Sequence, residues 1–165
     1  MFKRITVHCL ILVVALLSFS SIGVAEPVVK IKSREKCPVC GMFVAKYDAW
    51  ITQVHHHDKS VSFFDGVKDM MAYVFNPQHH GAHTSADIGE IWVKDYYTLD
   101  WIDGRTAFFV LGSDVYGPMG HELIPFQSRE AAGSFLKDHH GKEILPFAEI
   151  SATIVESLRS GHKMK

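Results

Sequence analysis

Ala49-Trp50-Ile51-Thr52-Gln53-Val54 and Lys59-Ser60-Val61-Ser62-Phe63-Phe64 are two β-branched and aromatic runs on either side of a polar His57-Asp58 turn. That pattern predicts a β-hairpin. Asp65 follows in the position of a helix N-cap, ahead of apolar residues at Val67, Met70, Met71, Val74 and Phe75. Their spacing is that of one face of an amphipathic helix, and Asn76-Pro77 stops it. After a polar loop rich in Gly, His and Ser, residues Glu90 to Leu99 read as a further strand.

The same order then recurs. Thr106-Ala107-Phe108-Phe109-Val110-Leu111 predicts a strand, Gly112 to Gly120 a turn-rich connection, and His121-Glu122-Leu123-Ile124-Pro125-Phe126 a second strand. Ser128 caps a helix with Ala132, Phe135 and Leu136 on one face, ended by Gly141. Glu143 to Ile150 is strand-like, and Pro146 points to an edge position. The expected fold class is α+β, two tandem ββαβ units: residues 37–102 form the first and residues 103–165 the second, which carries a C-terminal helix. Residues 26–36 have no period and read as an extended lead-in. The repeat is one of element order, and a single α+β domain with one sheet is the competing arrangement.

Residues 1–25 read as a secretory signal peptide. Lys3 and Arg4 precede an apolar run from Ile5 to Leu17, and Gly23-Val24-Ala25 resembles a small-x-small cleavage site. The run is too short, and too broken by His8, Ser18, Ser20 and Ser21, to be a good membrane anchor. Cys9 lies near the start of the run rather than at its end, where a lipidated cysteine would stand. The expected mature chain begins near Glu26. Removing Lys3 and Arg4 from 17 basic residues set against 18 acidic ones leaves a net charge of −3, with no block of like charge. A nucleic-acid partner is disfavoured.

With Cys9 gone, Cys37 and Cys40 are the remaining cysteines. They close too short a loop to stabilise a fold by restricting the unfolded chain, so they point to chemistry. The segment Cys37-Pro38-Val39-Cys40-Gly41-Met42 suits one soft ion, and the same spacing serves zinc or thiol–disulfide exchange. A closed zinc site wants a second ligand pair, and there is no second cysteine pair. A thioredoxin-type motif would follow a strand and open a helix, whereas here a hairpin comes next. Met42, across a glycine that lets the backbone fold back, offers a thioether, a good ligand for Cu(I) and a poor one for zinc.

Gly117-Pro118-Met119-Gly120-His121 is a second donor cluster, because a methionine bracketed by glycines in a turn has no evident core to fill. Met119 or His121 could complete a Cys/Met site from the other half of the chain. Met70 and Met71 have helical spacing and belong to the core. The runs His55-His56-His57, His79-His80 with His83, and His139-His140 read as polar loops or a hairpin tip, with adventitious divalent-metal affinity at most. No GxSxG, phosphate loop or HExxH is present, and the chain is not expected to be an enzyme.

Cys37-Pro38-Val39-Cys40-Gly41-Met42-Phe43-Val44, Val110-Leu111-Gly112-Ser113-Asp114-Val115, Gly117-Pro118-Met119-Gly120 and Glu122-Leu123-Ile124-Pro125-Phe126 together closely resemble the NosL family, accessory proteins of nitrous-oxide reductase. The resemblance runs from about Lys36 to Ile150. It implies a periplasmic Cu(I) chaperone that supplies the reductase's copper–sulfur centre and works with a membrane ABC-type complex. It also implies a fold of two ββαβ units related to the amino-terminal part of organomercurial lyase. Cys40 and Met42 match the family's copper-binding cysteine and methionine, and Met119 and His121 are candidates for a third ligand. Many members are lipoproteins, which this chain is not expected to be. Cys37 is present in some relatives only, as an added ligand or as a disulfide switch with Cys40. The alternatives are a chaperone for another copper enzyme, a thiol–disulfide oxidoreductase, and a structural metal module.

Overall fold

The computed structural model describes residues 26–81 and 83–161, so the expected signal peptide lies outside the described residues. The two β-branched runs pair antiparallel as β1 (Thr52–His56) and β2 (Val61–Phe64), with Thr52 opposite Phe64 and His55 opposite Val61. Between them Lys59 takes a left-handed φ of 71°, and the Asp58 carboxylate accepts the Ser60 N–H at 2.9 Å, a turn that an Asx side chain favours. Residues 48–50, expected at the start of β1, form a 3-10 turn instead. The lead-in docks on β1: the Gln53 side chain accepts the Val28 N–H at 2.9 Å and donates to the Val28 carbonyl at 2.8 Å.

Helix α1 (Val67–Phe75) follows, and Asn76 closes it by donating to the Ala72 and Tyr73 carbonyls. Pro77 then opens the short helix α2 (Pro77–His80), where its missing N–H costs nothing. Strand β3 (Ile88–Lys94) returns beside β1, with Val54 opposite Ile91. It does not run on to Leu99. The Asp95 carboxylate accepts the Tyr97 and Thr98 N–H groups at 2.9 and 3.1 Å, Leu99 adopts φ 62°, and the chain reverses into an edge strand, β4 (Trp101–Asp103). The first sheet is ordered β2-β1-β3-β4.

The second sheet repeats the arrangement as β6-β5-β7, built from β5 (Phe108–Gly117), β6 (Gly120–Phe126) and β7 (Glu143–Pro146). In each half a hairpin is followed by a helix and a strand that returns antiparallel to the hairpin's first strand. The helix of the second half is α3 (Arg129–Asp138), capped by the Ser128 hydroxyl, which accepts the Ala131 N–H at 3.1 Å. Two expectations change here. The stretch from Gly112 to Gly117 is strand rather than turn: Gly112 at φ 78° absorbs a register shift and pairing resumes with Tyr116 opposite His121. Strand β7 ends at Pro146, opposite Phe108 on the outer side of β5, and residues 147–149 form a 3-10 turn. Helix α4 (Ala152–Arg159) closes the described chain.

Both halves contribute to one core. Val54, Phe64, Met70, Met71 and Ile91 belong to the same buried cluster as Phe109, Leu111, Leu123, Val155 and Leu158. Val110, Ile124, Phe126, Ala132 and Phe135 form a smaller cluster under α3. Helix α1 lies at the centre: Val67 to Tyr73 are buried without a break, Lys68 and Asp69 included. The face that would meet solvent in an amphipathic helix is covered by α4 and by β6.

The N-terminus of α1 departs from expectation. Asp65 does not cap it. The Glu122 carboxyl, from β6, accepts the Lys68 N–H at 2.6 Å and the Leu123 N–H at 2.9 Å, placing an acid at the positive end of the helix dipole. A Cβ on Gly66 would run into that carboxyl, which accounts for glycine at this position. Burial pushes the Glu122 carboxyl up from 4.5 to about 8, against the opposing pull of its N–H donors and of the Lys68 ammonium.

Two outcomes follow from this contact. Gly66→Ala should displace the carboxyl from its donors and lower the unfolding free energy by about 1–3 kcal/mol in denaturant titration. A carboxyl whose pKa is raised on folding favours the folded state while protonated, so its contribution is full below pH 4.5 and is lost as pH rises to about 8. His55, His56 and His80, whose pKa values are lowered by desolvation, act in the opposite sense below 6.5. The thermal midpoint should therefore fall between pH 6.5 and 8 in the native chain, and Glu122→Gln should flatten that decline.

Candidate metal centre

The cysteine segment folds into a tight loop. Cys37 donates its N–H to the Met42 carbonyl at 2.9 Å, Gly41 donates to the Cys37 carbonyl at 2.9 Å, and Lys36 bridges Phe43 antiparallel. Gly41 sits at φ 78°, a conformation that a side chain would strain. The loop turns both sulfurs toward the start of α1. Cys37 is 1% exposed and belongs to the core, whereas Cys40 is partly open.

Two carboxylates from the start of α1 meet the thiols. Cys40 Sγ donates to Asp65 Oδ1 at 3.2 Å, and Cys37 Sγ lies 3.7 Å from Asp69 Oδ2. One ligand atom from each of the four residues lies within 4.8 Å of the others. Among the described residues this is the one group of three or more Cys, His, Asp or Glu side chains whose ligand atoms converge in this way. The spacing of four residues along the chain places both carboxylates on one side of the helix start. Asp69 also faces the Arg159 guanidinium of α4 at 4.0 Å. Asp65 Oδ2 is buried with no hydrogen-bond partner.

The electrostatics hold both thiols protonated. Burial pushes Cys37 up from 9.0 to about 12, and the nearby Asp65 and Asp69 charges push the same way. Cys40 is raised as well, first by desolvation and then by its hydrogen bonds to the two carboxylates. Both cysteines are free thiols. A thiol activated for disulfide exchange has a lowered pKa, the reverse of what is found here.

Met119 lies at the tip of the β5–β6 hairpin, where Gly120 takes φ 88°. It is 48% exposed and lines a cavity of about 240 Å³ together with Cys40, Lys68, Asp69 and Arg159. The Lys68 ammonium donates to the Met119 carbonyl at 2.7 Å and ties the hairpin to α1. The structure thus brings Cys37, Cys40 and Met119 into one neighbourhood. It does not bring the Met42 or His121 side chains onto that cavity. Met42 closes the loop through its carbonyl, and His121 packs on Tyr116 across the hairpin, ring centroids 4.9 Å apart.

Asp65 and Asp69 are the site residues that sequence reading missed. Asp65 was expected to be a helix cap, and Asp69 looks like a solvated helix residue until α4 is placed over it. Their signal is the four-residue spacing directly after the hairpin. The histidine runs also differ from expectation, because His55 and His56 are buried strand residues rather than a polar tip. His55 bonds Gln53 at 3.0 Å, and His56 bonds Ser62 at 3.0 Å and stacks on His83 at 3.7 Å.

Comparison with known proteins places this site in context. The family profile described as NosL matches residues 27–155. The copper-binding lipoprotein NosL of Achromobacter cycloclastes is 33% identical over 104 residues, 56% of this chain and 51% of that protein. The copper-binding lipoprotein NosL of Stutzerimonas stutzeri is 27% identical over 131 residues, 76% of this chain and 67% of that protein. The chain therefore spans about half the length of the first relative and 67% of the second. The crystal structure of the copper chaperone NosL from Shewanella denitrificans shares the fold, with a TM-score of 0.68 at 22% identity over 79% of this chain and 99% of that one. The chain belongs to the NosL family.

Proposed function

We propose that this protein is an extracytoplasmic, non-enzymatic Cu(I) carrier that delivers copper for assembly of the copper–sulfur centre of nitrous-oxide reductase, with a membrane ABC-type complex as its partner. The observation that carries the reading is the meeting of Cys40 and Met119, from opposite halves of the chain, on one open cavity with Cys37 behind them. Cu(I) accepts two or three soft donors at low coordination number, and a thiol pair with a thioether is such a set. The names of the relatives support copper as cargo, and their description as lipoproteins supports an extracytoplasmic site of action.

The chain's own residues divide the work. Cys37, sealed in the core, anchors the ion from behind. Cys40 and Met119 stand at the cavity, where an incoming partner's ligand can replace one of them before the other lets go. Transfer then proceeds by ligand exchange and the ion is never free. Lys68 and Glu122 hold the Met119 hairpin against α1, so the donors are placed before copper arrives. Loading displaces the thiol protons, and Asp65 and Asp69 are already the acceptors of those hydrogens. The raised thiols and the loop setting of the cysteines both weigh against the oxidoreductase reading, since the attacking species in exchange is the thiolate.

The reduced protein is expected to bind one Cu(I) in competition with a chromophoric chelator, and Cys40→Ser to abolish that binding. Unchanged stoichiometry and affinity in the serine variant would contradict the carrier reading. Met119→Leu should weaken Cu(I) by about 10–100-fold, the range set by residues that support or complete a metal site. His121→Ala, which removes a ring packed on Tyr116 across the hairpin, should leave the affinity close to that of the native chain.

A further inference from the structure

We propose that Cys37, Cys40, Asp65 and Asp69 form a second coordination mode of the same cavity, a four-donor tetrahedral site for a divalent cation of the zinc class. It builds on the carrier reading, since both modes share the two thiols, but it uses donors that a Cu(I) carrier does not need. A zinc-class site lacked a second ligand pair in the sequence, and the start of α1 supplies that pair as carboxylates.

The geometry fits such an ion. Zinc bonds of about 2.0–2.3 Å to oxygen and sulfur give tetrahedral edges of about 3.3–3.8 Å. The two thiol–carboxylate distances are 3.2 and 3.7 Å, and all four ligand atoms lie within 4.8 Å of one another. An ion would leave those two edges nearly as they are and draw the wider-spaced atoms in by up to about 1–1.5 Å. The environment also asks for a cation. Asp65 is 2% exposed and Asp69 5% exposed, and buried carboxylates are costly without full pairing. The nearest cation to Asp69 is Arg159 at 4.0 Å. Asp65 Oδ2 has no partner at all, so an unpartnered, buried polar atom belongs to the cluster itself.

Occupancy replaces the two thiol protons by metal–sulfur bonds, the protons leaving to solvent, with no change of oxidation state. A divalent ion held in this way shields Cys37 and Cys40 from oxidation. Cu(I), the softer ion, then takes the sulfurs together with Met119 and leaves the carboxylates without a share in its coordination.

Co(II), a spectroscopic stand-in for zinc, tests the proposal when titrated anaerobically into the purified, reduced protein. The expected result is one equivalent bound with the d–d bands of a tetrahedral ion and a thiolate-to-cobalt charge-transfer band, all displaced by Zn(II). Asp65→Asn and Asp69→Asn should each weaken Co(II) by more than about tenfold. An octahedral spectrum without the charge-transfer band would assign the metal to the histidine runs and overturn the proposal, as would a tetrahedral thiolate spectrum that both asparagine variants leave unaltered. Zinc-edge X-ray absorption on the native chain needs no variant: two sulfur and two oxygen neighbours support the site, and a nitrogen-rich shell refutes it. Should the native chain bind Co(II) in this way but not Cu(I), the carrier reading fails and the four-donor site stands.

Discussion

The buried carboxyl of Glu122 joins the two halves of this protein beside the cavity that Cys40 and Met119 line. It leaves β6, enters the N-terminus of α1 and accepts the N–H groups of Lys68 and Leu123. That contact requires glycine at position 66, because any Cβ there would occupy the carboxyl's place. It also relieves Asp65 of the capping role that its position suggests, so that its carboxylate can turn to Cys40. Lys68, whose backbone the carboxyl holds, reaches on to the Met119 carbonyl. One acid thus sets the helix start, the carboxylate pair and the methionine hairpin relative to one another.

The cost of this arrangement is concentrated around the cysteines. One thiol, two carboxylates and a lysine are buried close together, with the partly open Cys40 beside them, and hydrophobic replacements would give a simpler core. Such a cluster makes sense as a site that holds protons until something stronger displaces them. The apolar core around it is continuous across both sheets, and apart from Cys37 its buried residues lie outside the thiol–carboxylate cluster. That separation suits a carrier, which must remain folded before loading and after release.

How much of this was legible depended on whether neighbours in sequence or neighbours in space decide each residue's role. The first hairpin and α1 followed from β-branched runs and a helical period, and Ser128 and Pro146 took the positions their chemistry favours. Met119 was legible because a glycine-bracketed methionine in a turn has no core to fill. Asp65 was not, because an acid before an apolar helix is ordinarily its cap, and the real capping group comes from the other half of the chain. Nothing local announces that α4 and β6 cover Asp69 and Lys68. Gly112 read as a turn, although its left-handed backbone serves to carry a bulged strand onward. His55 and His56 read as a polar tip until Gln53, Ser62 and His83 supplied their partners.

Whether the sulfurs of both halves grip one ion is decided most directly by copper-edge X-ray absorption on the Cu(I)-loaded protein, native and Met119→Leu. The account predicts three sulfur neighbours in the native chain and two in the variant, with no nitrogen in either. A native shell of two sulfurs that the variant leaves unchanged, or a shell containing imidazole nitrogen, would contradict it.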